Sequence, residues 1–231
     1  MIRHNIIFLL AFISFNAIAA RPFVTDDDRL TTSGSCQLES WFRIYRESRE
    51  IWALPACNPS GNLEFTVGGG YARNNGENGT TDYLYQAKTL FRPLKANDWG
   101  IGLAVGTIRH PAINPGPNLL GNSYAYVPVS VSLNDDAVVV HTNIGWLKDR
   151  ATKENRMTWG IGAEFQAGPR LLAIAETFGD NQSRPYWQVG ARFAIVPDKV
   201  QVDATFGQQF SGPSSSQWIS FGLRLTPASL F

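Results

Sequence analysis

The strongest constraint on this chain is a period of two. Between residues 156 and 167, Met157, Trp159, Ile161, Ala163 and Phe165 alternate with Thr158, Gly160, Gly162, Glu164 and Gln166. The same alternation sets Trp187, Val189, Ala191, Phe193 and Ile195 against Gln188, Gly190, Arg192 and Ala194. It also sets Val200, Val202, Ala204 and Phe206 against Gln201, Asp203, Thr205 and Gly207. Successive side chains of a strand point to opposite faces, so each segment reads as a strand with one apolar and one polar face. Readable alternation recurs at 63–73, 81–92, 99–110, 123–134, 138–148 and 217–226. Residues 35–45 form a fair strand, and 50–55 and 171–179 weak ones. The count is about 12 strands, within a range of about 10 to 14.

Strand length then selects the environment. These segments run to about 10 residues, as a tilted membrane strand requires, whereas strands of soluble sheets are most often about 5 or 6. The polar faces are rich in Gly, Ser, Thr and Gln, which suits a water-facing lumen. The expected fold is all-β, a transmembrane antiparallel up-and-down β-barrel. Charged residues make up 17% of the chain, too few for a disordered protein, and a net charge of +1 argues against a nucleic-acid binder. Running the first strand outward from the periplasm makes the external loops longer on average than the periplasmic turns, the usual asymmetry of such barrels.

The amino terminus has its own layout. Arg3 and His4 precede an apolar run from Ile6 to Phe15, and Ala17-Ile18-Ala19-Ala20 follows as a cleavage pattern. Residues 1–20 therefore read as a secretory signal peptide; the apolar run is short of the roughly 20 residues that span a bilayer. A periplasmic segment, residues 21–34, and the barrel, residues 35–231, follow. Asp26, Asp27 and Asp28 lie in that segment, and arginines lie on the proposed lumenal face. The segment is therefore expected to fold back to the periplasmic mouth as a lumen plug. Export to an oxidising compartment favours a bridge between the only cysteines, Cys36 and Cys57. Their index sum equals that of Tyr45 and Ser48, which flank the expected turn at Arg46-Glu47. One hairpin register therefore places the two cysteines face to face, within reach of a disulfide.

Six aromatics share the apolar parity and the external end. Tyr71, Trp146 and Phe210 close outward-running strands, while Tyr83, Trp159 and Trp187 open inward-running ones. That is the place of an aromatic girdle at a membrane interface, in contact with outer-membrane lipid and lipopolysaccharide. The last strand, Trp218-Ile219-Ser220-Phe221-Gly222-Leu223-Arg224-Leu225, and the terminal Phe231 resemble the carboxy-terminal assembly signal of bacterial outer-membrane barrels. That resemblance implies the barrel-assembly machinery as a partner. The mature start, Arg21-Pro22-Phe23-Val24-Thr25-Asp26-Asp27-Asp28, with Cys36-Gln37-Leu38-Glu39 after it, resembles the opening of the phenol-degradation outer-membrane transporter family. The resemblance implies passage of small compounds, often aromatic.

By parity, Glu39, Arg43, Glu64, Lys88, Arg92, His141, Glu164, Arg192, Asp203 and Arg224 line the lumen. Both signs are present, so the charges can pair across the interior or set up a transverse field. About 12 strands lies between the side-chain-filled eight-stranded barrel and the open porins of 16 to 18 strands, so a narrow or closed pore is expected. The leading reading is a narrow channel or transporter for small molecules, without cofactor or metal. A lipid- or peptide-hydrolysing enzyme using His141 as base, with Ser130 or Ser132 on the neighbouring strand, is the alternative, and a structural barrel without transport is a third. His110 falls at a loop edge and is expected to be solvated. Asp26-Asp27-Asp28 reads as a solvated run rather than a calcium site, and the charges between Lys148 and Arg156 as ordinary surface. Gly68-Gly69-Gly70 lies within a strand, which suits a lumenal or bulge position better than a phosphate loop.

Overall fold

Each alternating segment becomes a strand of one closed sheet. The computed structural model describes residues 24–75, 78–110 and 121–227. In chain order the strands are β1 (Ser35–Tyr45), β2 (Ser48–Asn58), β3 (Leu63–Asn74), β4 (Thr80–Arg92), β5 (Trp99–Arg109) and β6 (Asn122–Leu133). The second half adds β7 (Val138–Lys148), β8 (Asn155–Gly168), β9 (Leu171–Asp180), β10 (Tyr186–Val196), β11 (Val200–Gln209) and β12 (Trp218–Leu225). Every strand pairs with its sequence neighbours, and β1 pairs antiparallel with β12, so no edge is left open. The barrel has twelve strands. The expected signal peptide, Phe231 and most of the loop after His110 lie outside the described residues.

Burial is inverted relative to a soluble protein. Ile144 is 69% exposed and Met157 60%, whereas Glu164 is 1% exposed, Arg192 2% and Lys88 3%. An apolar exterior around a charged interior is stable only where the exterior solvent is lipid. The six expected girdle residues, Tyr71, Tyr83, Trp146, Trp159, Trp187 and Phe210, stand on the outer side; five are well exposed, and Trp187 packs edge-on to Phe206 at 5.7 Å between centroids.

Tight turns close the end where β1 begins and β12 ends. Asn134, Asp135 and Asp136 occupy the left-handed region, with φ of 52°, 54° and 66°, and Asp198 does so at 60°. Asn and Asp tolerate this conformation because their short polar side chains bond locally to the backbone. The two weakest expected strands are complete strands, β2 and β9. Within β2, Pro55 supplies no N–H, and the β2–β3 ladder passes from Ala53↔Gly69 directly to Ala56↔Thr66. Closure of the barrel holds the strand despite that gap. Cys36 and Cys57 are direct partners in the β1–β2 register and are joined by a disulfide, with Cα atoms 4.0 Å apart.

A candidate functional site in the lumen

Residues 24–34 run through the inside of the barrel. At the periplasmic rim, Gly34 N–H donates to the Asn58 carbonyl at 2.8 Å, and Asn58 Nδ2 donates to the Thr31 carbonyl at 2.7 Å. Thr31 N–H donates to Glu64 Oε2 at 2.6 Å. Further in, Arg29 faces Glu164 at 3.5 Å, and Asp28 N–H donates to Ser130 Oγ at 3.3 Å. Lys88 Nζ lies 2.9 Å from Asp26 and 3.3 Å from Asp27. The segment ends against β9, where Glu176 accepts Val24 N–H on one carboxylate oxygen at 2.7 Å and Thr25 N–H on the other at 2.8 Å. Contacts from β2, β3, β4, β6, β8 and β9 thus converge on one short extended stretch.

Two lumenal glycines complete this seat. A Cβ on Gly100 would collide with the Asp28 carboxylate, and one on Gly160 would collide with Thr25 Oγ1 and lie 3.2 Å from Thr25 Cβ. Both glycines are on the inward parity of their strands, so their missing side chains are the notches that admit the segment. Its reach exceeds the periplasmic mouth expected from sequence, since Gly160 lies in the outer half of β8.

The remaining lumenal residues form networks on the same wall. Glu164 accepts from Arg192 Nη1 at 2.9 Å. Arg43 pairs with Glu50 at 3.2 Å, and its guanidinium lies over the Trp218 ring at 5.2 Å. Arg224 donates to Gln37 at 2.5 Å and faces Glu39 in the β1–β12 register, while Asp203 faces Arg192 across β10–β11. Arg92 departs from the expected set. A bulge between Leu90 and Arg92 shifts the ladder so that Arg92 opposes Ile101, on the exterior parity. An extra residue in one strand turns the following side chain to the other face. Arg92 therefore leaves the lumen, lies 4.2 Å over Trp99 and binds Asp98 at 2.6 Å. The Trp99 N–H and this guanidinium hold the Asp98 carboxyl below the usual carboxylate range.

The Ser–His pair considered from sequence is present. Ser130 Oγ is 2.7 Å from His141 Nδ1, and His141 Nε2 is 3.7 Å from Glu164 Oε2. Ser130 and His141 are both fully buried, and Ser130 is engaged by the Asp28 backbone. Ser132 bonds instead to Asp136. Asp26 and Asp27 are taken up by Lys88 rather than left to solvent. His110 is also less solvated than expected. Its Nδ1 lies 2.9 Å from Asp82, whose hydrogen bond raises the imidazole pKa.

Parity applied to aromatics would have found a second set. Trp41 and Trp52 stack inside the barrel at 5.6 Å, with Gly70 leaving room for the Trp52 ring. Trp41 packs with Leu54 and Leu84 as an apolar patch within the lumen. Toward the external end, Phe178 and Tyr186 stack at 5.7 Å, and Tyr124 and Tyr126 at 6.1 Å. Beside the segment these walls line a cavity of about 630 Å³ that touches Thr25, Asp26, Asp27 and Arg29, reaches Glu64 and Lys88 in the periplasmic half, and has Arg156, Asp180 and Arg184 at its external mouth.

A closed twelve-stranded barrel with a charged lumen and an apolar exterior has the build of an outer-membrane β-barrel. Solved structures share this fold at low sequence identity. The KdgM porin superposes with a TM-score of 0.63 at 9% identity, covering 83% of this chain and 99% of that one. The NanC porin gives 0.58 at 6% identity, covering 84% and 99%. The Acinetobacter baumannii outer membrane protein Omp33 gives 0.51 at 11% identity, covering 83% and 97%. No curated protein matches the chain in sequence. Residues 8–226 match the family described as Uncharacterised conserved protein UCP029691, and the chain belongs to that family.

Proposed function

We propose that this protein is an outer-membrane channel for small molecules whose lumen is occluded from within by residues 24–33. The observation that carries the reading is the double clamp of Glu176 on the Val24 and Thr25 amides, together with the Lys88 pairs to Asp26 and Asp27. A barrel needing only mechanical strength has no use for a chain threaded through its axis and seated in two glycine notches. Glu39, Arg43, Glu64, Lys88, His141, Glu164, Arg192, Asp203 and Arg224 line the pathway. The fold shared with KdgM, a porin also solved in complex with disordered oligogalacturonate, supports solute passage. The resemblance of the mature start to the phenol-degradation outer-membrane transporters supports small cargo. The six exterior aromatics act as the girdle facing lipid and lipopolysaccharide, and the barrel-assembly machinery reads the final strand.

Liposome swelling tests the reading. Reconstituted full-length protein should admit small solutes slowly, and a variant lacking residues 24–33 should admit them several times faster. A correctly assembled deletion variant that admits no solute would sink the channel reading.

A further inference from the structure

We propose that the cavity beside the segment is a binding site for uncharged, ring-bearing polyols, that is, neutral sugars. The inference rests on the channel reading and adds the chemistry of the solute. Its first support is charge balance. The cavity wall carries five acidic and five basic side chains. The two signs balance in number, and several of the charges are paired. Lys88 is held by Asp26 and Asp27, and Arg156 by Asp180 at 3.5 Å and Glu154 at 3.2 Å. An anion or cation entering here gives up hydration and meets no surplus counter-charge to replace it.

The second support is what the wall offers instead. Phe178 and Tyr186 are directly opposed across β9–β10 and stack with 15° between their planes. Tyr124 and Tyr126, two residues apart on β6, present a second ring pair, also 15° apart. All four half-buried rings line the cavity. Flat apolar faces flanked by polar edges receive a ring whose faces are C–H and whose rim is hydroxyl. The third support is polar capacity. Asn143 lines the cavity, and its Oδ1 is buried with no hydrogen-bond partner among the described residues. Gln86 Oε1 accepts from Tyr124 at 3.0 Å, which leaves its NH₂ side to donate, while the single Tyr126 proton goes to Asp26 at 2.5 Å. An orphaned buried acceptor is costly unless a ligand or water hydroxyl supplies the proton. A hydroxyl donates to Asn143 and accepts from Gln86, whereas a carboxylate can only accept.

Two measurements with maltotriose and trigalacturonate test the site. In detergent-folded full-length protein, intrinsic tryptophan fluorescence should titrate saturably with maltotriose and not with trigalacturonate. Phe178→Ala and Tyr186→Ala should each weaken that titration about twofold to tenfold, and Asn143→Leu similarly, while thermal unfolding stays near that of the parent. In liposomes, maltotriose should enter faster than trigalacturonate. Equal or stronger binding of trigalacturonate overturns the site, as does maltotriose binding that ignores all three substitutions. Ion conduction without any maltotriose preference overturns the site and leaves the channel standing. Selective maltotriose binding in a barrel that passes neither solute nor ions supports the site and overturns the channel reading.

Discussion

The periplasmic and external halves of the lumen share the same twelve strands but are filled by opposite means. In the inner half, the charged groups of the wall find partners on another part of the chain: Glu64 takes the Thr31 amide, Glu164 takes Arg29, and Lys88 takes two aspartates. In the outer half, wall charges pair with wall or loop charges, and stacked rings face a void. The difference teaches that a barrel of this width is not bound to be either solid or open. Its state is set by whether the lumenal groups are satisfied from within the wall or by a detachable segment.

Removing the carboxylate of Glu176 should break that contrast most sharply. Glu176→Ala leaves the Val24 and Thr25 amides without their acceptor. Two charge-assisted bonds are worth about 3 kcal/mol together, so the undocked fraction should rise about a hundredfold. Open probability in planar bilayers checks this. Arg156→Ala, at the external mouth, should leave it near the parent value.

The disulfide fixes the base of the same seat, since Cys57 precedes Asn58, whose side chain holds Thr31. Replacing Cys36 and Cys57 by Ser reopens a link with a sequence separation of 21. It should cost about 3 kcal/mol of barrel stability in the chain-entropy model, read as a lower unfolding temperature in heat-modifiability gels. A smaller, more local change is Gly160→Val. Its side chain falls on Thr25, and overpacking of this kind costs about 1 to 3 kcal/mol. Conductance should rise, and adding Thr25→Gly should return it toward the parent. A rise that Thr25→Gly fails to reverse would show that the notch does not seat the segment.

Most of the wall was legible in the sequence, because alternation marks a strand wherever one face meets lipid and the other meets water. It blurred where the lumenal face is itself apolar. In β9, Leu172 and Ile174 are buried inside while Leu171 is exposed outside, so the two faces read alike. β2 blurs for the same reason, with Leu54 and Ala56 inside and Ile51 outside. That blur hid Glu176, the residue that clamps the segment. Arg92 was misplaced because a bulge has no signature in alternation until the partner strand is known. The hairpin register of Cys36 and Cys57 was readable because a tight turn sets every later pairing in its hairpin.

The smallest expected effect lies at the external rim. The Asp82 hydrogen bond raises the His110 pKa above its ordinary value. The pair therefore contributes fully below the unfolded imidazole pKa, and its contribution is lost as pH rises through the raised folded value. His110→Gln should remove this pH dependence from the unfolding midpoint, an effect under about 1 kcal/mol, and leave segment docking unchanged. A change in channel opening with this substitution would mean that the two halves are coupled.

Residues 24–33 sit in the lumen of the closed protein, and a cross-link tests this directly. Thr25 Cβ and a Cβ at Gly160 are separated by 3.2 Å, close to the range that a disulfide bridges. A Thr25→Cys, Gly160→Cys double variant, folded under oxidising conditions, should therefore form a second bridge and hold the barrel in its low-conductance state. Reductant should then raise single-channel conductance far more than it does in the parent. Two free thiols in the folded barrel, or a bridged barrel that conducts as well as the reduced one, would contradict the account.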